Sequence, residues 1–168
     1  MDCAQGDIQT IGLQCLFDGV IALFYVISYQ VTDQGIADTF ANANRRVHPR
    51  GIFLLDVWHA PAVLTQGLSA RVKRVEDEKV RITRTAAPQI DIDSKVATVR
   101  YSVRIESKIN NRIQTFQENR HMRYFVPAEI DEFAKHSGFE IEHNEEFVTG
   151  NLPSENTFGV CYLLRKQT

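Results

Sequence analysis

Residues 19–30, GVIALFYVISYQ, carry no charge, and the nearest acids on either side are Asp18 and Asp33. A surface strand alternates apolar and polar residues. This run is apolar on both faces, the texture of a strand inside a parallel sheet. Residues 16–29 are therefore expected to form a buried strand. The run is too short for a membrane span, which needs about 20 apolar residues, and Ser28, Tyr29 and Gln30 interrupt it.

The flanking sequence extends this strand into a unit. In TDQGIADTFANANRRVHPRG (32–51), Thr32 or Asp33 can cap a helix with Ile36, Ala37, Phe40, Ala41, Ala43 and Val47 on its apolar face. Arg45, Arg46 and His48 suit the negative end of its dipole, and Pro49 and Gly51 are expected to end it. GIFLLDVW (51–58) reads as a second buried strand, so strand, helix and strand make a βαβ unit. After Gly67 the texture changes. In TVRYSVRI (98–105), Val99, Tyr101, Val103 and Ile105 alternate with Thr98, Arg100, Ser102 and Arg104, the period of a half-buried antiparallel strand. ARVKRV, VRITRT and RIQTFQENRHMRYF are its expected neighbours, with turns at EDEK and at Asn110–Asn111. Pro127 then opens a helix that Gly138 closes, and two more strands finish the chain.

The totals bound the class. The 168 residues are 43% hydrophobic and 24% charged, the profile of a globular domain. Lysines and arginines number 19 against 21 acids, a net charge of −2, so no global field recruits nucleic acid or an anionic membrane. Three cysteines (Cys3, Cys15, Cys161) form no CxxC pair and no even set, and no secretory signal is read. Reduced thiols in a cytoplasmic protein are the expectation. No His/Cys/Asp cluster has metal-ligand spacing.

The order of the pieces resembles class I S-adenosylmethionine-dependent methyltransferases. The resemblance rests on QGDI (5–8), FDGVIALFYVISY (17–29), ANRRVHPRG (43–51), IFLLDVW (52–58) and FAKHSGFEI (133–141), and it covers nearly the whole chain. The antiparallel insertion and the MRYF run (122–125) are most similar to the branch that includes sugar N-methyltransferases. It implies an α/β fold with a partial Rossmann-like sheet. Residues 1–67 and 126–168 would be the core of a single domain, with an antiparallel insertion at 69–125. It also implies a departure. The family begins with a strand and Gly-rich turn that grip the cofactor, and no G-x-G occurs here. MDCAQGDI (1–8) looks like the third family strand, so two strand–helix units are expected to be absent and the strand at 17–29 to lie bare along one edge. An uncovered apolar edge is an association site, and a homodimer is the expected remedy.

By this resemblance the cofactor is S-adenosylmethionine and the acceptor a small-molecule amine or hydroxyl, with a nucleotide-linked sugar as one class. Asp7 and Ile8 would meet its adenine, and Leu23 and Phe24 would line the methyl-transfer channel. On its own, Asp7 after Gly6 also suits an Asx turn, and Leu23 and Phe24 suit a core. Tyr29 and His59 each follow a strand end, where open α/β sheets bind ligands. They are the catalytic candidates, His59 because a free imidazole titrates near neutral pH. Trp58, His121 and Arg123 are the substrate candidates. Each also has an ordinary structural reading. Asp56, an acid within an apolar strand, needs a partner that the sequence does not name. The competing class is a non-catalytic remnant acting as an oligomeric binding module.

Overall fold

The computed structural model describes residues 3–168. In chain order the elements are β1 (Phe17–Ala22), a 3-10 turn (Ile27–Tyr29), α1 (Asp33–Arg46), β2 (Val47–His59), α2 (Ala60–Gln66), β3 (Arg71–Glu76), β4 (Val80–Asp91), β5 (Val96–Ser107), β6 (Ile113–Phe125), α3 (Pro127–His136), β7 (Phe139–Glu146) and β8 (Gly159–Lys166). They fall into two compact units. One comprises the residues through Gln66 with Arg123–Thr168, and the other Gly67–Met122.

The first unit is a mixed α/β structure built on β2. β1 runs parallel to it, with Gly19–Ala22 opposite Ile52–Leu55. β8 runs antiparallel along its other edge, with Ile52 opposite Arg165 through to Trp58 opposite Gly159. The last residues of β6 join in parallel, Tyr124 opposite Trp58 and Phe125 opposite His59. β7 closes the far side, so β8 is internal, as its apolar sequence suggests. α1 forms where its residues predict. Thr32 Oγ1 accepts the Gly35 N–H at 3.1 Å, Asp33 sits in the first turn, and Arg45 and Arg46 sit in the last. Its buried Ile36, Phe40 and Ala43 pack on Phe53, Leu55 and Val57 of β2 and on Ile130 and Ala134 of α3. The Phe40 ring meets Phe53 edge-on at 5.5 Å, and Phe53 meets Phe139 at 5.6 Å.

Three local expectations change. Residues 16–29 are not one buried strand. β1 stops at Ala22, the chain turns out through left-handed Phe24 and Tyr25, and Ile21 remains 65% exposed. α1 ends at Arg46 without help from Pro49 or Gly51, which lie inside β2; Gly51 is needed there because a Cβ would come 2.7 Å from the Asp18 carbonyl oxygen. No strand occurs in residues 3–16, where Asp7 opens a turn instead. Met1 and Asp2 of that expected third strand lie outside the described residues.

The second unit is the antiparallel ladder read from the sequence. β4 pairs with β3 from Arg81–Glu76 and with β5 from Val80–Ser107, and β6 lies beside β5. Its expected buried row is only partly buried. Val99 is 7% exposed and Ala97 fully buried, while Tyr101, Val103 and Ile105 are half-exposed. Tyr101 lies instead under the Arg84 guanidinium, 5.1 Å from its centroid.

Arg123 ties the first unit's helix starts together. Its guanidinium donates to Asp33 Oδ1 at 2.6 Å and Glu129 Oε1 at 2.9 Å, and it lies over the Phe125 ring at 5.3 Å. The Arg123 side chain is 7% exposed and that of Glu129 13%, while that of Asp33 is 80%, so the Glu129 pair carries the energetics. Arg123→Ala removes the guanidinium from that buried carboxylate, which keeps the Val126 N–H on Oε2. Urea unfolding should show a loss of about 3 kcal/mol, against a loss within ~0.5 kcal/mol for the exposed Lys135→Ala.

Candidate functional site

Asp56 organises the ends of β1 and β2. Its side chain is fully buried, and Oδ1 accepts the Tyr25 N–H at 2.9 Å. Burial pushes its carboxyl pKa up, and the N–H groups of Tyr25, Asp56 itself and Phe24 pull it back. Phe24 and Tyr25 have φ of 63° and 64°, a conformation that L residues adopt at a cost. The carboxylate offsets that cost by receiving the N–H groups which this conformation turns inward.

The turn sets out a row of aromatic rings. Tyr25 meets Trp58 edge-on at 6.1 Å, and Phe24 meets Phe147 edge-on at 6.2 Å. The Tyr25 hydroxyl lies against Gly159, where a Cβ would come within 2.8 Å of it, so a side chain there would displace the Tyr25 ring. The chain then enters the 3-10 turn, where buried Ser28 Oγ accepts the Trp58 N–H at 3.2 Å. This bond fixes Ser28, and with it the neighbouring Tyr29, beside the C-terminal end of β2. Tyr29 itself is 42% exposed. His59 closes β2, is 4% exposed and donates its backbone N–H to the Phe158 carbonyl at 2.9 Å. Its Nδ1 is buried without a hydrogen-bond partner among the described residues, and burial pushes its pKa down. It is thus a neutral imidazole at pH 7.

Beside β1 lies a cavity of about 540 Å³ whose walls include Ile8, Ile11, Leu23, Phe24, Asn42 and Arg46. Three of the four residues matched to cofactor contacts therefore share one apolar wall. The two polar groups named here hold the N-terminal arm in place. Asn42 Nδ2 donates to the Ile8 carbonyl at 3.0 Å, and Arg46 donates to the Leu13 carbonyl at 2.6 Å. The fourth, Asp7, is exposed and forms an Asx turn, its Oδ1 accepting the Gln9 N–H at 2.9 Å. Of the substrate candidates, Trp58 stands in the aromatic row. Arg123 is committed to Asp33 and Glu129. His121 belongs to the second unit, exposed, with Nδ1 3.0 Å from Thr98 Oγ1. Tyr25 is the site residue missing from the sequence reading. The available signal was Asp56, whose need for a donor implied a partner that the sequence did not name. Among the described residues no group of three or more His, Cys, Asp or Glu could hold a metal, and no helix is long and apolar enough to cross a membrane.

No protein-family model matches this sequence, and no curated protein matches it. Solved structures do. A S-adenosylmethionine-dependent methyltransferase from Clostridium acetobutylicum ATCC 824 superposes with a TM-score of 0.78 at 17% identity, over 98% of this chain and 64% of that one. The sugar N-methyltransferase KedS8 from Streptoalloteichus sp. ATCC 53650 gives 0.79 at 17% identity, over 98% and 62%. CalS10, an amino pentose methyltransferase from Micromonospora echinaspora, solved with S-adenosylmethionine bound, gives 0.73 at 17%, over 96% and 63%. The chain has the mixed α/β fold of these methyltransferases and spans less than two thirds of their length.

The buried imidazole has a measurable consequence. Because the folded pKa of His59 lies below its ordinary 6.5, the unfolded chain binds the proton more readily. The stability linked to a neutral His59 is fully present above pH 6.5 and is lost as pH falls from there toward the folded pKa. Denaturation midpoints of the wild type should therefore drop on acidification below about pH 6.5, and His59→Gln should flatten that slope.

Proposed function

We propose that this chain is the acceptor-side portion of a methyltransferase that uses S-adenosylmethionine to methylate a small-molecule amine or hydroxyl, with amino sugars as the favoured class. The observation that carries the reading is the superposition of nearly the whole chain on KedS8 and the Clostridium enzyme. It is supported by the edge-on pair of Tyr25 and Trp58 near the C-terminal ends of parallel strands, the usual ligand position in open α/β sheets. S-adenosylmethionine, when bound, supplies an activated methyl group and a neutral thioether leaving group.

The residues present fit one half of that molecule. The apolar wall of Ile8, Leu23 and Phe24 suits a flat heterocycle, and about 540 Å³ lies within the size range of small-molecule sites. For the charged amino-acid half the sequence offers no Gly-rich turn, and Asn42 and Arg46 already serve the N-terminal arm. The chain's own contribution is positional. Tyr25 and Trp58 present ring surface to an acceptor, Tyr29 stands beside them, and His59 takes the proton released by the acceptor nitrogen or oxygen as the new C–N or C–O bond forms. Tyr29 and His59 share this crevice in the proposal. Transfer by the isolated chain is impaired in this reading, because no Gly-rich turn occurs in the sequence to meet the ionic end of the cofactor.

Titration calorimetry with S-adenosylmethionine should give a millimolar dissociation constant, about −4 kcal/mol. A micromolar constant would overturn the impairment. No binding at several millimolar would overturn the cofactor assignment and leave a non-catalytic binding module.

A further inference from the structure

The cavity of about 540 Å³ runs beside β1 from Phe17, at the start of the strand, to Phe24, just past its end. No acidic residue lines it. Three polar side chains do, and two of them have used their donors. Thr39 Oγ1 donates to the Gly35 carbonyl at 2.8 Å. Asn42 Nδ2 donates to the Ile8 and Ile11 carbonyls at 3.0 and 3.2 Å. Arg46 differs. Its Nη1 donates to the Leu13 carbonyl at 2.6 Å, but its Nε is buried with no hydrogen-bond partner among the described residues. The Leu13 carbonyl and the last turn of α1 meet this cation with dipoles, and neither is a counter-ion.

We propose that the cavity binds a monocarboxylate with an extended apolar body, such as a medium-chain fatty acid. The carboxylate sits on the Nε–Nη2 edge of Arg46 and the chain lies along β1. A guanidinium meets a carboxylate with two parallel N–H···O bonds, and holding the N-terminal arm uses only Nη1. The lining selects the head group. An ammonium group would find no carboxylate in the cavity, and a phosphate dianion would leave one charge unmatched by a single arginine. The body follows from the rest of the wall. An alkyl chain there covers Phe17 and Ile21, which stand 38% and 65% exposed. This ligand class goes beyond the methyl-transfer reading: it enters from the Arg46 end and shares the wall assigned there to the heterocycle.

Titration calorimetry of the 168-residue chain with decanoate, octanoate and octylammonium, each below its micelle-forming concentration, tests this. It needs neither cofactor nor turnover, so either reading can fail without the other. Decanoate should bind saturably at one site, and octanoate roughly 16-fold more weakly, about fourfold per methylene. Octylammonium should not bind. Arg46→Met keeps the apolar stem and should weaken decanoate about tenfold or more, the loss of a charged hydrogen bond. In the 15N-labelled wild type, decanoate should move the Arg46 Nε–H resonance and leave the amides of β3–β5 in place, a readout that does not depend on how the variant folds. Absence of saturable decanoate binding would overturn the proposal. Equal affinity for octanoate and octylammonium, unchanged affinity in Arg46→Met, or an unmoved Arg46 Nε–H at saturation would each overturn it too.

Discussion

A carboxylate inside an apolar strand constrains the first unit more than any other single group. Asp56 sits fully buried in β2, the strand on which β1, β6 and β8 are all registered. Such a group is tolerated only if donors reach it. They come from the backbone just after β1, which must leave the sheet and adopt a left-handed bend to present them. That bend ends β1 early, aims Tyr25 at Trp58, and lets Ser28 bond the end of β2. Removing the carboxylate would leave the Tyr25 N–H without its acceptor and take that hydrogen bond from the costly conformation of Phe24 and Tyr25.

This interaction also explains where the sequence was legible. The helices at 33–46 and 127–136 follow from caps and a 3.6-residue apolar period, both local properties of the chain. The antiparallel ladder follows from alternation, and β8 from its apolar run. The end of β1 was not legible, because LFYVISY is as apolar as the strand before it, and a long-range hydrogen bond from the Tyr25 N–H to Asp56 holds the bend where the strand stops. Arg123 was equally opaque. Its place among Asp33, Glu129 and Phe125 depends on two segments 90 residues apart meeting, which no spacing rule encodes. Of the candidate site, the end of β2 at His59 was readable as a position, while the end of β1, the ring pairs and the role of Tyr25 required the fold.

An open α/β sheet binds ligands where its strands end, and the neighbouring strands and helices supply the polar groups that hold charged ligand parts. Here the aromatic wall and the buried, neutral His59 are present, while the edge of β1 is open and its flanking cavity is lined almost wholly by apolar side chains. A chain built this way can offer a surface to a flat heterocycle and to an acceptor ring.

Chemical-shift mapping with S-adenosylhomocysteine tests that picture most directly, since this ligand carries the heterocycle without the reactive methyl group. The account predicts amide shifts that saturate at millimolar ligand and concentrate at Ile8, Leu23 and Phe24, with none in β3–β5. Perturbations confined to the second unit, or no perturbation at saturating ligand, would contradict it.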